Sequence, residues 1–250
     1  MKDTERENES KEIMQFDKAL EEYESGKYAG TEWCYIPDHD EDYRYVLWNK
    51  GENKEPEKTL IVVGVNPSKA TPEELDRTVD KMFKIAQNNG YDSVMVLNLY
   101  PQRATDPEDM DEVKNDILYN ENLKAFRWAF SKARDVWVAW GNIVNTRRYL
   151  QEAILDIFAG ITYCGKNRGI EEAIRDWDRG LKKTGTRDLN WKKLGKITKK
   201  GHPRHPLYQK IDLELSYFDM DNYVDELKKR LVRKRAVKKR PAKKRVVKKI

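Results

Sequence analysis

Three apolar runs constrain this chain more than anything else in it. "TLIVVGVN" (residues 59–66), "SVMVLNLY" (93–100) and "DVWVAWG" (135–141) are nearly continuous in Val, Leu, Ile, Met and Trp. They lack the polar alternation of a strand with one wet face, so they read as strands covered on both sides. The stretches between them carry the other period. Leu75, Val79, Met82, Phe83 and Ala86 form a helical stripe that stops at Gly90, and "DEVKNDILYNENLKAFRWAFSKA" and "RRYLQEAILDIFA" are long enough for further helices. Alternating strand and helix predict an α/β fold, a three-layer sandwich with a mostly parallel central sheet. "YRYVLWN" (43–49) adds an aromatic, β-branched strand before the polar linker "KGENKEPEK", and residues 191–197 add another. Ile13, Phe16, Leu20 and Tyr23, at three- and four-residue spacing, predict a helix within residues 9–26 that docks by one face.

A chain of 250 residues buries one sizeable core, so we expect one α/β domain (31–227) with a helical N-terminal extension (1–30) and a C-terminal tail (228–250). Charged residues are 37% of the chain and mean hydropathy is −0.92, yet seven Trp and thirteen Tyr supply the large apolar surface that wholesale disorder lacks. No apolar run approaches the roughly 20 residues of a membrane span, and "MKDTERENES" has no signal-peptide core. A soluble, cytoplasmic protein without a membrane partner is expected. Cys34 and Cys164 stand far apart with no C-x-x-C, which predicts reduced structural thiols and no metal or other cofactor.

Net charge is divided unevenly. Of the 49 Lys and Arg, 14 fall in residues 228–250 with no acid among them, leaving 35 basic against 43 acidic residues elsewhere. The tail reads "KKRLV RKRAV KKRPA KKRVV KKI". Five helical residues advance about 500°, so this repeat scatters its cations around a helix and makes no amphipathic membrane face. Pro241 and mutual repulsion favour an extended, disordered tail. A phosphate backbone would neutralise Lys228, Lys229, Arg230, Arg233, Lys234, Arg235, Lys238, Lys239, Arg240, Lys243, Lys244 and Arg245 and release counterions. Nucleic acid, DNA rather than RNA, is the expected partner.

Ligands of open α/β sheets bind beyond the carboxyl ends of the strands. Here those exits are polar: "NPSKA", "NLYPQRATDP", "GN" and "KKGHPRHPLY". Asn66-Pro67-Ser68 is either a turn starter or part of a site. The Asn98 carboxamide either reads a polar edge or caps backbone. Arg103, Thr105 and Asp106 suit an internal ion pair and an Asx-type turn, or a place behind the site. His202 and His205, which with His39 are the only histidines, sit in a proline-stiffened loop able to preorganise an imidazole.

The set "GVNPSKA", "DRTV", "NLYPQRATDP", "AWGN" and "GHPRHPLY", spanning residues 43–208, resembles an uncharacterised bacterial and phage domain family with the signature G-x-N-P-S-x-A, D-x-T, N-L-x-x-x-R-A-T-D-P, A-W-G and H-P-L-Y. More distantly it resembles the uracil-DNA glycosylase superfamily. There, a G-x-D-P-Y or G-I-N-P-G motif, an Asn after the second core strand, an L-W-G strand end and an H-P-S-P-L loop follow in the same order. The matching positions are Gly64, Asn66 and Pro67; Asn98; Trp140 and Gly141; and either His202 or His205 with Pro206 and Leu207. The resemblance implies a glycosylase-like fold. It also implies that Asn66 positions a water, Asn98 reads a base edge and a loop histidine stabilises the departing base. Ser68 stands where many of those enzymes have an aromatic residue, and Leu207 and Tyr208 are candidates to fill the space of a flipped base. Asn66 cannot take up a proton near neutrality, so activity would lean on the leaving group. The expected function is a nucleic-acid-binding N-glycosylase-like hydrolase; the alternatives are an inert DNA-recognition module and an enzyme of free nucleotides or nucleosides. Residues between "TYCGKNRG" (162–169) and "KLGKITKKG" (193–201) are expected to form an insertion beside the cleft.

Overall fold

The computed structural model describes residues 12–26, 33–38, 40–50, 58–68, 70–71, 74–159 and 189–238. Among these residues seven strands form one sheet in the order β1-β2-β4-β3-β5-β6-β7: β1 (Trp33–Ile36), β2 (Val46–Asn49), β3 (Thr59–Gly64), β4 (Ser93–Asn98), β5 (Asp135–Val138), β6 (Asn190–Leu194) and β7 (Leu215–Tyr217). β4, β3, β5 and β6 run parallel, while β1, β2 and β7 join antiparallel at the edges. The sheet is therefore mixed around a parallel core. In that core Leu60, Ile61, Val62, Met95, Val136, Trp137 and Val138 are buried, as strands covered on both faces must be.

Between β3 and β4 runs α2 (Arg77–Asn88); Val79, Met82, Ile85 and Ala86 pack it on Leu60, Val62, Val94, Val96 and Trp137. Asp76 caps it, accepting from the Thr78 and Val79 amides at 2.8 and 2.9 Å, and Gly90 (φ 75) turns the chain beyond its end. α3 (Asp116–Lys132) then carries the chain back past β3 to β5, and α4 (Arg148–Ala159) follows β5. Because the crossover direction reverses while its hand does not, α3 covers the face opposite α2.

α1 (Phe16–Glu24) meets α3 by one face, as its spacing predicts: the Phe16 amide donates to Glu121 Oε2 at 2.7 Å, and Phe16 is buried with Ala19. Hydrophobic pattern alone does not predict β1 and β7. Four and three residues long, they are strands because a neighbouring edge offers its free backbone groups.

The chain divides into two compact units, Met1–Tyr217 and Phe218–Ile250. In the second, α5 (Met220–Lys238) corrects the expectation of a wholly extended basic tail, because residues 228–238 continue a helix begun upstream. Asp219 accepts from the Asn222 amide at 3.0 Å, and Lys229 pairs with Glu226 at 2.8 Å. Like-charge repulsion at helical spacing costs only a few tenths of a kcal/mol per pair, about what Leu, Lys, Arg and Ala return by their helix propensity. Lys239, Arg240, Lys243, Lys244 and Arg245 lie outside the described residues, as do His39, Cys164 and most of the expected insertion. No helix among the described residues is long and apolar enough to cross a membrane.

Candidate functional site

From β3 the chain is led to one side, toward β4, and from β5 to the other, toward β6. A crevice opens at the carboxyl ends where such connections diverge. A cleft of about 240 Å³ lies there, lined by Asn66, Ser68, Asp76, Asn98, His205 and Tyr208 among others. The β3, β4 and β6 exits meet in it, and the β5 exit adds Ile143.

Gly64 closes β3 opposite Asn98 in the parallel register. A Cβ on Gly64 would stand 2.6 Å from Asn98 Oδ1, so the glycine is what admits the carboxamide. Asn98 is only 4% exposed, lines the cleft, and its carboxamide has no hydrogen-bond partner among the described residues. It caps no backbone. Its own carbonyl accepts from Asn122 Nδ2 at 2.9 Å, which fixes the strand end while the side chain waits. Neither of its amide atoms is among the solvent-sealed unsatisfied ones, so the carboxamide is open to a ligand edge with one donor and one acceptor.

Asn66 behaves differently. Its Nδ2 donates to the Ala104 carbonyl at 2.7 Å and to Pro67 O at 3.1 Å, and the Ala104 amide returns a bond to Pro67 O at 2.9 Å. The amide nitrogen is therefore committed to the next strand's exit, and Oδ1 is the atom left to meet a ligand or water. Arg103 stitches the same two loops from behind: Nε donates to Ser68 O at 3.1 Å and Nη1 to Asp40 O at 2.8 Å. Arg103 binds carbonyls rather than Asp106, so the expected internal ion pair is replaced by a loop clamp. Asp106 makes the expected Asx-type turn, accepting from the Glu108 amide at 2.9 Å.

The two histidines part company. His202 is 1% exposed and faces Asn145, whose Nδ2 lies 2.9 Å from its Nε2; Gln151 holds Asn145 in turn through Oδ1 at 2.9 Å. His202 thus ties its loop to the turn after β5 and is not among the cleft-lining residues. His205 lines the cleft. Gly141 (φ 61) lets it approach: a Cβ there would meet His205 Cβ at 3.2 Å. Gly141 therefore supports the site by admitting His205, while Trp140 is buried and is not among the cleft-lining residues.

The Leu207 amide donates to His205 Nδ1 at 3.4 Å, which leaves the proton of a neutral ring on Nε2. Burial lowers the His205 pKa from its ordinary value, with Asp76 opposing part of the shift. The lowered pKa favours the neutral ring, which in this geometry carries its N–H at Nε2. At the rim, Leu207 is 37% and Tyr208 80% exposed, and Lys81 Nζ donates to Leu207 O at 2.9 Å.

Two charged lining residues join the site without having been expected there. Asp76 caps α2 through Oδ1 while Oδ2 accepts from Ser68 Oγ. Its signal was an Asp standing just before a helical stripe. Arg44, 2% exposed, donates Nη1 to Ala70 O at 2.6 Å and lies over the Tyr35 ring at 5.2 Å. Burial lowers its pKa to about 10, Tyr35 and Asp76 opposing the shift. An arginine inside "YRYVLWN" was the visible anomaly.

The arrangement combines an unpartnered amide, an oriented amide oxygen, a neutral imidazole donor and one carboxylate around a small cavity. It can bind a planar polar ligand by its edge and stabilise negative charge developing on it. Neither a curated protein nor a solved structure matches the chain. A family model does, over residues 44–207, from the buried Arg44 to Leu207 at the cleft's rim, and the chain belongs to that family, described as a protein of unknown function (DUF1643).

Proposed function

We propose that the cleft takes a nucleobase out of a nucleic acid and hydrolyses its N-glycosidic bond. The observation that carries this reading is the unpartnered Asn98 carboxamide, buried at the cleft wall. A base edge pairs with an amide through one donor and one acceptor, and desolvation in the cleft makes a mismatched edge costly. The volume supports a single base: about 240 Å³ is below the roughly 300–1,000 Å³ of sites for drug-sized ligands. His205 Nε2–H would stabilise the electron pair leaving with the base, which a neutral donor does without a proton transfer. Leu207 and Tyr208, exposed at the rim, would occupy the vacated stack. The basic residues of α5 and beyond would add sequence-independent affinity for the phosphate backbone of DNA.

A DNA-recognition module without turnover is the second reading. It is favoured by Asn66, whose carboxamide is committed to Ala104 and cannot act as a base. An assay on duplex and single-stranded oligonucleotides carrying a panel of modified bases separates the two. Base release with an abasic product supports hydrolysis; tight, base-selective binding without release supports recognition; neither result removes nucleic acid from the account.

A further inference from the structure

We propose that Asp76 is the catalytic carboxylate of this cleft, facing the sugar carbon and accepting the proton of the attacking water. This rests on the nucleobase-hydrolysis reading and supplies what Asn66 cannot. Among the described residues lining the cleft, Asp76 is the one carboxylate. An ionised carboxyl offers about four acceptor positions. Three are filled: Oδ1 takes the Thr78 and Val79 amides at 2.8 and 2.9 Å, and Oδ2 takes the Ser68 hydroxyl. The remaining position is on Oδ2, and it belongs to a side chain that lines the cleft alongside the Asn66 carboxamide, whose free Oδ1 can take the water's other hydrogen.

The cap fixes the carboxylate as a preorganised site requires, since moving it would strip two helix amides of their acceptor. Arg44 lines the same cleft as a buried cation and balances the charge. In the step itself, the bond from sugar carbon to base nitrogen breaks and its electron pair departs with the base, held by His205 Nε2–H. The carbon becomes cationic and is stabilised by Asp76. Water oxygen bonds to that carbon, its proton passes to Asp76 Oδ2, and Asp76 returns the proton through solvent to the departed base. Water attacking a cationic carbon is acidic, so a carboxylate suffices as the acceptor.

The test compares two duplexes, one carrying a cationic pyrrolidine and the other a neutral tetrahydrofuran at a single abasic position. The full chain should bind the pyrrolidine duplex at least about tenfold tighter, the low end for close charge pairs. Asp76→Asn keeps an equally good helix cap but leaves the buried Arg44 without its balancing charge, so its folding is checked by a melt before binding is read. Folded Asp76→Asn should bind the pyrrolidine and tetrahydrofuran duplexes with equal affinity. Equal affinity of the unmodified protein for both duplexes overturns the assignment of Asp76 and leaves the nucleobase reading standing. That comparison needs no variant, so a folding failure of Asp76→Asn does not shelter the proposal. Retention of the preference by a folded Asp76→Asn overturns it too. Binding to neither duplex at low salt overturns the nucleic-acid reading and Asp76's role together.

Discussion

The strand-exit cleft and the basic C-terminal helix use polar groups in opposite ways. In the cleft, three polar side chains are held by fixed protein groups: Asn66 by Ala104 in the next strand's exit, Asp76 by Ser68 and its own helix, His205 by the Leu207 amide. The Asn98 side chain is held by packing and has no hydrogen-bond partner among the described residues. In α5, Lys229 finds an acceptor one turn back in Glu226, but that pair is exposed on both sides and worth little. Groups fixed before binding discriminate between ligands, whereas mobile solvated cations attract any polyanion.

The largest expected effect breaks the comparison from the helix side. Removing residues 228–250 should flatten the salt dependence of DNA binding, whose log–log slope is about −0.9 per phosphate neutralised. A segment that neutralises about 6–10 phosphates carries several orders of magnitude of affinity at low salt, and its removal should forfeit them while base preference survives. Binding titrations at four salt concentrations measure this. An unchanged slope would assign the affinity to the first unit.

Next in size, His205→Ala should lower turnover by about 10²–10³ with binding little changed, as for loss of one electrostatic donor. His202→Ala should instead cost about 1–3 kcal/mol of stability, since it empties a buried position and strands Asn145, and leave activity per folded molecule intact. Single-turnover kinetics beside chemical denaturation distinguish the two. Equal behaviour of both variants would erase the division between the histidines.

Gly64→Ala sharpens the claim that the cleft is built around Asn98. A Cβ 2.6 Å from Oδ1 forces the Asn98 side chain to shift toward the cleft, at a cost at or below the low end of the roughly 1–3 kcal/mol of core overpacking. In an Asn98→Ala background most of that cost should vanish, a non-additivity that a double-mutant cycle reads directly. Additive losses would mean that the glycine serves something else.

The smallest effect is the pH dependence of stability. His205 has a folded-state pKa below its ordinary 6.5, so as pH falls the unfolded chain binds the proton first. Its contribution is complete above about pH 6.5 and declines as pH drops through that value toward the folded pKa. Denaturant melts at pH 7.5 and 5 should show a shallower decline for His205→Gln than for the unmodified chain. Identical slopes would mean that the ring is not buried as described.

The core strands were legible because a strand buried on both faces writes its state into every residue, as residues 59–64 and 93–98 do. α2 was legible because its period and its Asp76 cap are local. Cleft membership was legible only in part. Asn66, Asn98 and His205 stand where strands end, which topology alone sends to one edge of a parallel sheet. The choice between His202 and His205 was not, because both obey the same local chemistry and differ in what packs against them: Asn145 on one side, Gly141 on the other. Arg44 joined the site through the loop at Ala70, 26 residues on, and Asp76 through Ser68, eight residues back.

What the sequence determined by itself was therefore the period and burial of each core element, and with them an α/β sheet whose polar strand exits share one edge. Those properties come from neighbours along the chain, and hydrophobic pattern records them directly. Tertiary structure alone decided which polar atoms ended up partnered. A side chain three residues from its twin can be buried against one element or exposed to a cavity beside another, and only the approach of distant backbone, here at Gly64 and Gly141, settles which. Short edge strands and the helical start of the basic segment belong to the same class. Their local preference is weak, and contacts or a helix already begun upstream tip the balance.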